Sequence, residues 1–203
     1  MNLTLTTDRE VFEYTTQKLY EQNEASKSDN GDTCVYRGYS QALKDEIRQN
    51  VFGSVDEDYI SDSESESLYE VFYERLMDFE HDRKCAVGHL ISNAVYSYEF
   101  EERDARNGDV INAVRESNPL WQMTETSYEL IYDMQAVHDR NEVGAWPYIF
   151  NYFSFDEDDK YVIPDNIASI IELGKDKYMD STRVKTEETE AKLEKNTPNT
   201  GDN

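Results

Sequence analysis

Three histidines and two cysteines leave few options for imidazole, thiol or transition-metal chemistry in this chain: His81, His89, His138, Cys34 and Cys85. Cys85 follows Lys84 near the start of a predicted helix, and a cation and a helix N-terminus both lower a thiol pKa. With His138 or His89 as its base, this is the outline of a Cys–His nucleophile pair. His138-Asp139 is also an H-D dipeptide, but the further His and Asp ligands that a metal-dependent phosphohydrolase needs are missing from the sequence. Zinc requires four ligands; Cys34, Cys85, His89 and His138 supply them by count, yet only Cys85 and His89 have a spacing (i, i+4) that anchors a site. The expectation is therefore no metal and no cofactor, with both cysteines acting as small apolar residues. A Cys85–His138 enzyme is the alternative.

Carboxylates offer calcium as a second chemistry. Asp156-Glu-Asp-Asp159 fails the EF-hand pattern, with Lys160 at position 5, Tyr161 where glycine must stand and Ile167 at position 12. Asp56-Glu57-Asp58 fails similarly at Ile60. Glycine is 8 of 203 residues and forms no phosphate-cradling loop.

Charge excludes more than motifs do. Asp and Glu number 44 against 20 Lys and Arg, a formal net charge of −24. Gripping nucleic acid or an anionic membrane directly would require a basic face. Aromatic residues at 12%, including 15 Tyr, argue against a solvating acidic coil. A globule of this mass exposes roughly 9,800 Å², so the excess charge matches in magnitude that of roughly 12 base pairs of duplex. From Asp180 to Asn203 six acidic residues face four basic ones, so −22 of the charge lies on residues 1–179.

The elements that must carry these residues are mainly helical. Thr7 and Glu10 have capping-box spacing and open a helix over 8–23. Residues 41–52 read as a helix ending at Gly53. Ser63 and Glu66 form a second box before a helix with Leu68, Val71, Phe72, Leu76 and Phe79 on one face and Glu66, Glu70, Glu74 and Asp78 on the other. Further helices are expected from Cys85 to Tyr98, from Val110 to Glu116, after a Thr126/Glu129 box, and from an Asp165 cap to Gly174. The aromatic run 145–155 suggests a strand or extended core segment, giving a small β element near 145–163. Residues 1–179 then form one acidic globular domain and 180–203 a disordered tail. No secretory signal is visible and no window has the ~18 apolar residues of a membrane span, so a cytoplasmic location is expected.

Cys34-Val-Tyr-Arg-Gly38, Lys84-Cys-Ala-Val-Gly-His-Leu-Ile91 and Gln135-Ala-Val-His-Asp139 before Trp146-Pro147 resemble a family of small phage and bacterial-genome proteins with C-x-Y-R, K-C-A-x-G-x-L-I and late H-D segments. The resemblance covers roughly 8–38 and 84–147 and implies a phage-like origin rather than an activity. In that family the first two segments lie close together, whereas here 46 residues separate Arg37 from Lys84. Residues 39–84 hold thirteen acidic and five basic residues, net −8. The expected function is a non-enzymatic phage-type inhibitor, an acidic nucleic-acid mimic that occupies the basic channel of a host defence or nucleic-acid-binding enzyme. Its contacts would be Glu66, Glu70, Glu74, Asp78, Asp56, Glu57 and Asp58, with Glu99, Glu101 and Glu102 as a second patch. A general protein-interaction module without mimicry is the other non-enzymatic reading.

Overall fold

The computed structural model describes residues 4–26, 35–53, 62–77, 83–101 and 103–196, and among these the fold is mainly α. Eight helices are seen there: α1 (Asp8–Gln22), α2 (Gln41–Phe52), α3 (Asp62–Met77), α4 (Ala86–Leu90), α5 (Gly108–Ser117), α6 (Glu125–Arg140), α7 (Trp146–Phe150) and α8 (Ile167–Asn196). Two short strands, β1 (Arg37–Gly38) and β2 (Arg83–Lys84), pair antiparallel with Arg37 opposite Lys84 and Gly38 opposite Arg83.

Helix α6 is the centre. Leu130, Ile131, Met134 and Val137 recur at three- and four-residue spacing and are wholly buried. Each such side chain removed from water contributes about 1.5–3 kcal/mol. α1 presents Val11 and Leu19 to this core and α4 presents Val87 and Leu90, while α5 and α7 pack around them. Phe12, Phe150, Phe153, Phe155 and Tyr161 form a ring cluster beside α1.

A buried carboxylate joins the two ends of this body. Asp8, 4% exposed, accepts from Trp121 Nε1 at 2.9 Å, Ser127 Oγ at 2.6 Å, Thr126 Oγ1 at 3.1 Å and the Tyr161 amide at 3.0 Å. Nearby, Tyr161 donates its hydroxyl to buried Asp133 at 2.8 Å. Burial pushes the Asp133 carboxyl up, against the lowering effect of that bond.

Helices α2 and α3 stand apart from this core. They pack mainly on each other through a small cluster of Ile47, Phe52 and Phe72. The chain leaves the body at β1 and returns at β2, so the two-residue ladder is the stem of a helical hairpin. Residues from the end of α1 clamp that stem. Gln22 bonds both the amide and the carbonyl of Lys84 at 2.8 and 3.1 Å. Glu24 accepts from the Gln41 amide and from Arg83 Nε, both at 3.0 Å.

Several local expectations are corrected. α3 begins at Asp62, so Ser63 lies inside the helix rather than capping it. α2 does end at Gly53 as expected, with a right-handed φ of −61° there. The 85–98 helix stops at Leu90, where Asn118 Nδ2 takes the Leu90 carbonyl at 2.8 Å and Ser117 Oγ takes the Ser92 amide at 2.9 Å. The box of α6 is Thr124 with Ser127, two residues before the expected pair, because Thr126 donates to Asp8 instead. The 145–155 run forms α7 with Pro at its first turn, where a missing N–H costs nothing. What remains of the expected β element there is one isolated bridge, Phe155 to Tyr161. Asn166, not Asp165, caps α8, its Oδ1 accepting from the amides of Ala168 and Ser169. α8 passes Gly174 without breaking and packs on the body as far as Ser181, which accepts from the Tyr148 hydroxyl at 2.9 Å. Residues 180–196 continue it as a helical extension.

Two glycines are required by close packing. A Cβ on Gly88 would lie 1.9 Å from the Tyr36 carbonyl oxygen, and one on Gly174 would lie 2.4 Å from Ile149 Cγ1. Gly88→Ala should therefore cost about 1–3 kcal/mol by forcing α4 away from β1. Urea unfolding measures this, and a loss within a few tenths of a kcal/mol would show that α4 can shift freely.

Candidate functional site

Of the acidic residues nominated from sequence, the structure describes the side chains of Glu70, Glu74, Glu99 and Glu101. Glu70 and Glu74 are exposed one turn apart on α3, about 6 Å along the axis from the helical rise. Tyr69 and Val71 beside them are 39% and 38% exposed, so Val71 belongs to the outer surface rather than to the expected apolar face. The side chain of Glu66, and Asp56, Glu57, Asp58, Asp78 and Glu102 entirely, lie outside the described residues, as do Leu76 (side chain) and Phe79. Glu99 is exposed and pairs with Arg103 at 3.7 Å.

Glu101 is a correction. It points inward, accepting the Tyr36 amide at 2.7 Å, the Arg37 amide at 3.0 Å and the Tyr96 hydroxyl. Arg37 lies over the Tyr96 ring, its Cζ 3.9 Å from the centroid, and donates to the Ile91 carbonyl. Burial raises the Glu101 pKa against the pull of these donors. Its role is to hold the chain entering β1, so it is not part of an open acidic patch.

Cys85 and His138 are buried as well, and His89 is half-buried. Cys85 is 0% exposed, caps α4 and accepts the Gly88 amide at 3.3 Å. His138 stacks on Trp146, with centroids 5.1 Å apart. Its Nε2 accepts the Ser26 amide at 3.4 Å, leaving Nδ1 as donor to Asp139 at 3.0 Å. Among the described residues Cys85 thus bonds Gly88, and His138 bonds Ser26 and Asp139, rather than each other. Cys34 and His81 lie outside the described residues. Among the described residues no three His, Cys, Asp or Glu side chains gather as metal ligands, and no helix is long and apolar enough to cross a membrane.

His89 is held neutral. Burial, with Lys84, His138 and Lys18 nearby, lowers its pKa from 6.5 to about 3. Between those values the unfolded chain binds a proton that the folded one excludes, so His89 favours folding above pH 6.5 and this is lost as pH falls toward 3. From pH 7 to 5 the loss should be about 2 kcal/mol. Urea titrations of His89→Gln and the parent at both pH values test it: the parent should show the extra loss, and parallel slopes would refute it.

The cleft beside the stem is lined by Tyr36, Cys85, Arg103, Arg106, Tyr132, Gln135 and Arg140, among others, and has a volume of about 470 Å³. A second, of about 580 Å³, lies beside Asp8 and Trp121. No family model matches this chain, and no curated protein or solved structure does either. The C-x-Y-R and K-C-A segments nevertheless have a shared physical place: they run through the two strands of the stem, Arg37 opposite Lys84. Residues that sequence reasoning missed are the clamp, Gln22 and Glu24, and the cleft arginines. Nothing local marks either group, since both gain their roles from contacts distant in sequence.

Proposed function

We propose that this protein is a non-enzymatic inhibitor of phage type, whose acidic hairpin imitates nucleic acid and enters the basic channel of a host defence or nucleic-acid-binding enzyme. The observation that supports this reading is that, among the described residues, α2 and α3 pack mainly on each other beyond a two-residue stem, with Glu70 and Glu74 exposed on α3. Charge complementarity would speed encounter and make affinity depend steeply on salt. The partner would be a basic protein, with neither nucleic acid nor membrane bound directly, and the encounter would occur in the host cytoplasm.

Capture from bacterial lysate on immobilised protein tests this. A nucleic-acid enzyme should be retained at about 0.1 M salt and released by roughly 0.5 M, and it should lose its duplex when the protein binds. Reversing Glu66, Glu70, Glu74 and Asp78 to Lys should abolish capture. Retention indifferent to both salt and charge reversal would remove mimicry. It would favour instead a general interaction module, the reading supported by the exposed Tyr69 and Val71.

A further inference from the structure

We propose that the cleft beside the hairpin stem binds a small organic oxyanion, a phosphate or carboxylate group carried on a compact body. Its volume of about 470 Å³ falls in the range of small-molecule sites. Arg103, Arg106 and Arg140 are among its lining residues, beside the carboxylates Glu101, Asp104 and Asp139. In a chain with 44 carboxylates for 20 Lys and Arg, a guanidinium has more than two carboxylates to choose from.

The carboxylates of the cleft already have partners. Glu101 takes the donors described above, Asp139 accepts from Gln135 and His138, and Asp104 accepts the Arg106 amide. Arg103 is paired with Asp109 and Glu99. Arg106 and Arg140 differ: among the described residues neither side chain forms an ion pair or a hydrogen bond. Arg106, an exposed residue, has its Cζ 4.8 Å over the Tyr132 ring. A guanidinium laid on a ring is held through its face, which leaves the N–H groups in its plane to grip an oxyanion in bidentate fashion. The acidity of the remaining surface does not cancel this, because charges more than about 8 Å away are screened at physiological salt.

Calorimetric titration of the full chain at about 0.15 M salt with phenyl phosphate, benzoate and neutral benzamide tests the site. At least one anion should bind saturably at one per chain, the preferred one identifying the head group, and benzamide should not bind. Arg106→Gln and Arg140→Gln should each weaken that binding about tenfold, while Lys175→Gln, away from the cleft, leaves it unchanged. Tyr132→Phe keeps the ring beneath Arg106 and should hold affinity within about twofold, whereas Tyr132→Leu should lose about three- to tenfold. Tm of each variant shows that it is folded. The proposal is overturned if neither anion binds up to about 10 mM, if benzamide binds as well as benzoate, or if the folded Arg106→Gln/Arg140→Gln protein binds like the parent.

Discussion

Asp8→Ala should destabilise the protein by about 3–5 kcal/mol, lowering Tm by roughly 6–20 °C for a chain of this size. The reason is the number and burial of its donors. Trp121 Nε1, Ser127 Oγ, Thr126 Oγ1 and the Tyr161 amide all converge on one carboxylate that is 4% exposed. The two hydroxyls can turn to other acceptors, but the indole and the amide cannot, and a buried donor left unpaired costs about 1–3 kcal/mol. Asp8→Asn keeps the shape but turns an NH₂ toward these donors, so it should recover only part of the loss. Urea unfolding of the three proteins decides the matter. A cost below about 1 kcal/mol for Asp8→Ala would mean that water replaces the carboxylate.

Excising residues 39–82 and joining Gly38 to Arg83 through Asn-Gly should leave the body folded and abolish capture of the partner. The two strands are already antiparallel neighbours, so a two-residue turn fits their ends. Among the described residues the main core takes none from the excised segment, whose own cluster is Ile47, Phe52 and Phe72. Thirteen carboxylates and three cations leave with it, changing the formal charge from −24 to −14. Circular dichroism and a cooperative urea transition report the body, and lysate capture reports the hairpin. A body that unfolds would show that the segment is part of the core. A folded body that still captures the same partner would place the binding surface elsewhere.

Helices were readable from sequence wherever the signal was local. α1 follows from Thr7, Glu10 and the spacing of Val11, Thr15 and Leu19, all within a few residues of one another, and its capping box is present. The charge-rich segment between two motifs was legible as an insertion, but the two strands that bound it were not. What escaped depended on distant partners. The end of α4 is decided by Asn118, 28 residues on, and the start of α6 by Asp8, 118 residues back. Glu101 has the same composition signal as any exposed glutamate, and only the amides of Tyr36 and Arg37 draw it inward. The aromatic run 145–155 has strand-forming residues, but Pro147 at the first turn and burial of Trp146, Ile149 and Phe150 on one side favoured a short helix.

The bond from the Tyr161 amide to Asp8 also sets a timetable for synthesis. It spans 153 residues, which at 5–20 residues per second takes about 8–30 s to translate. Helix α1 can form its capped first turn as soon as it emerges, but the partners that seat it, Trp121, Ser127 and Tyr161, are made much later. Contacts of such long range slow folding. Helix α1 is thus made long before the partners that seat it, and for that interval Val11, Phe12 and Leu19 are open to chaperones and proteases of the cell that makes the protein.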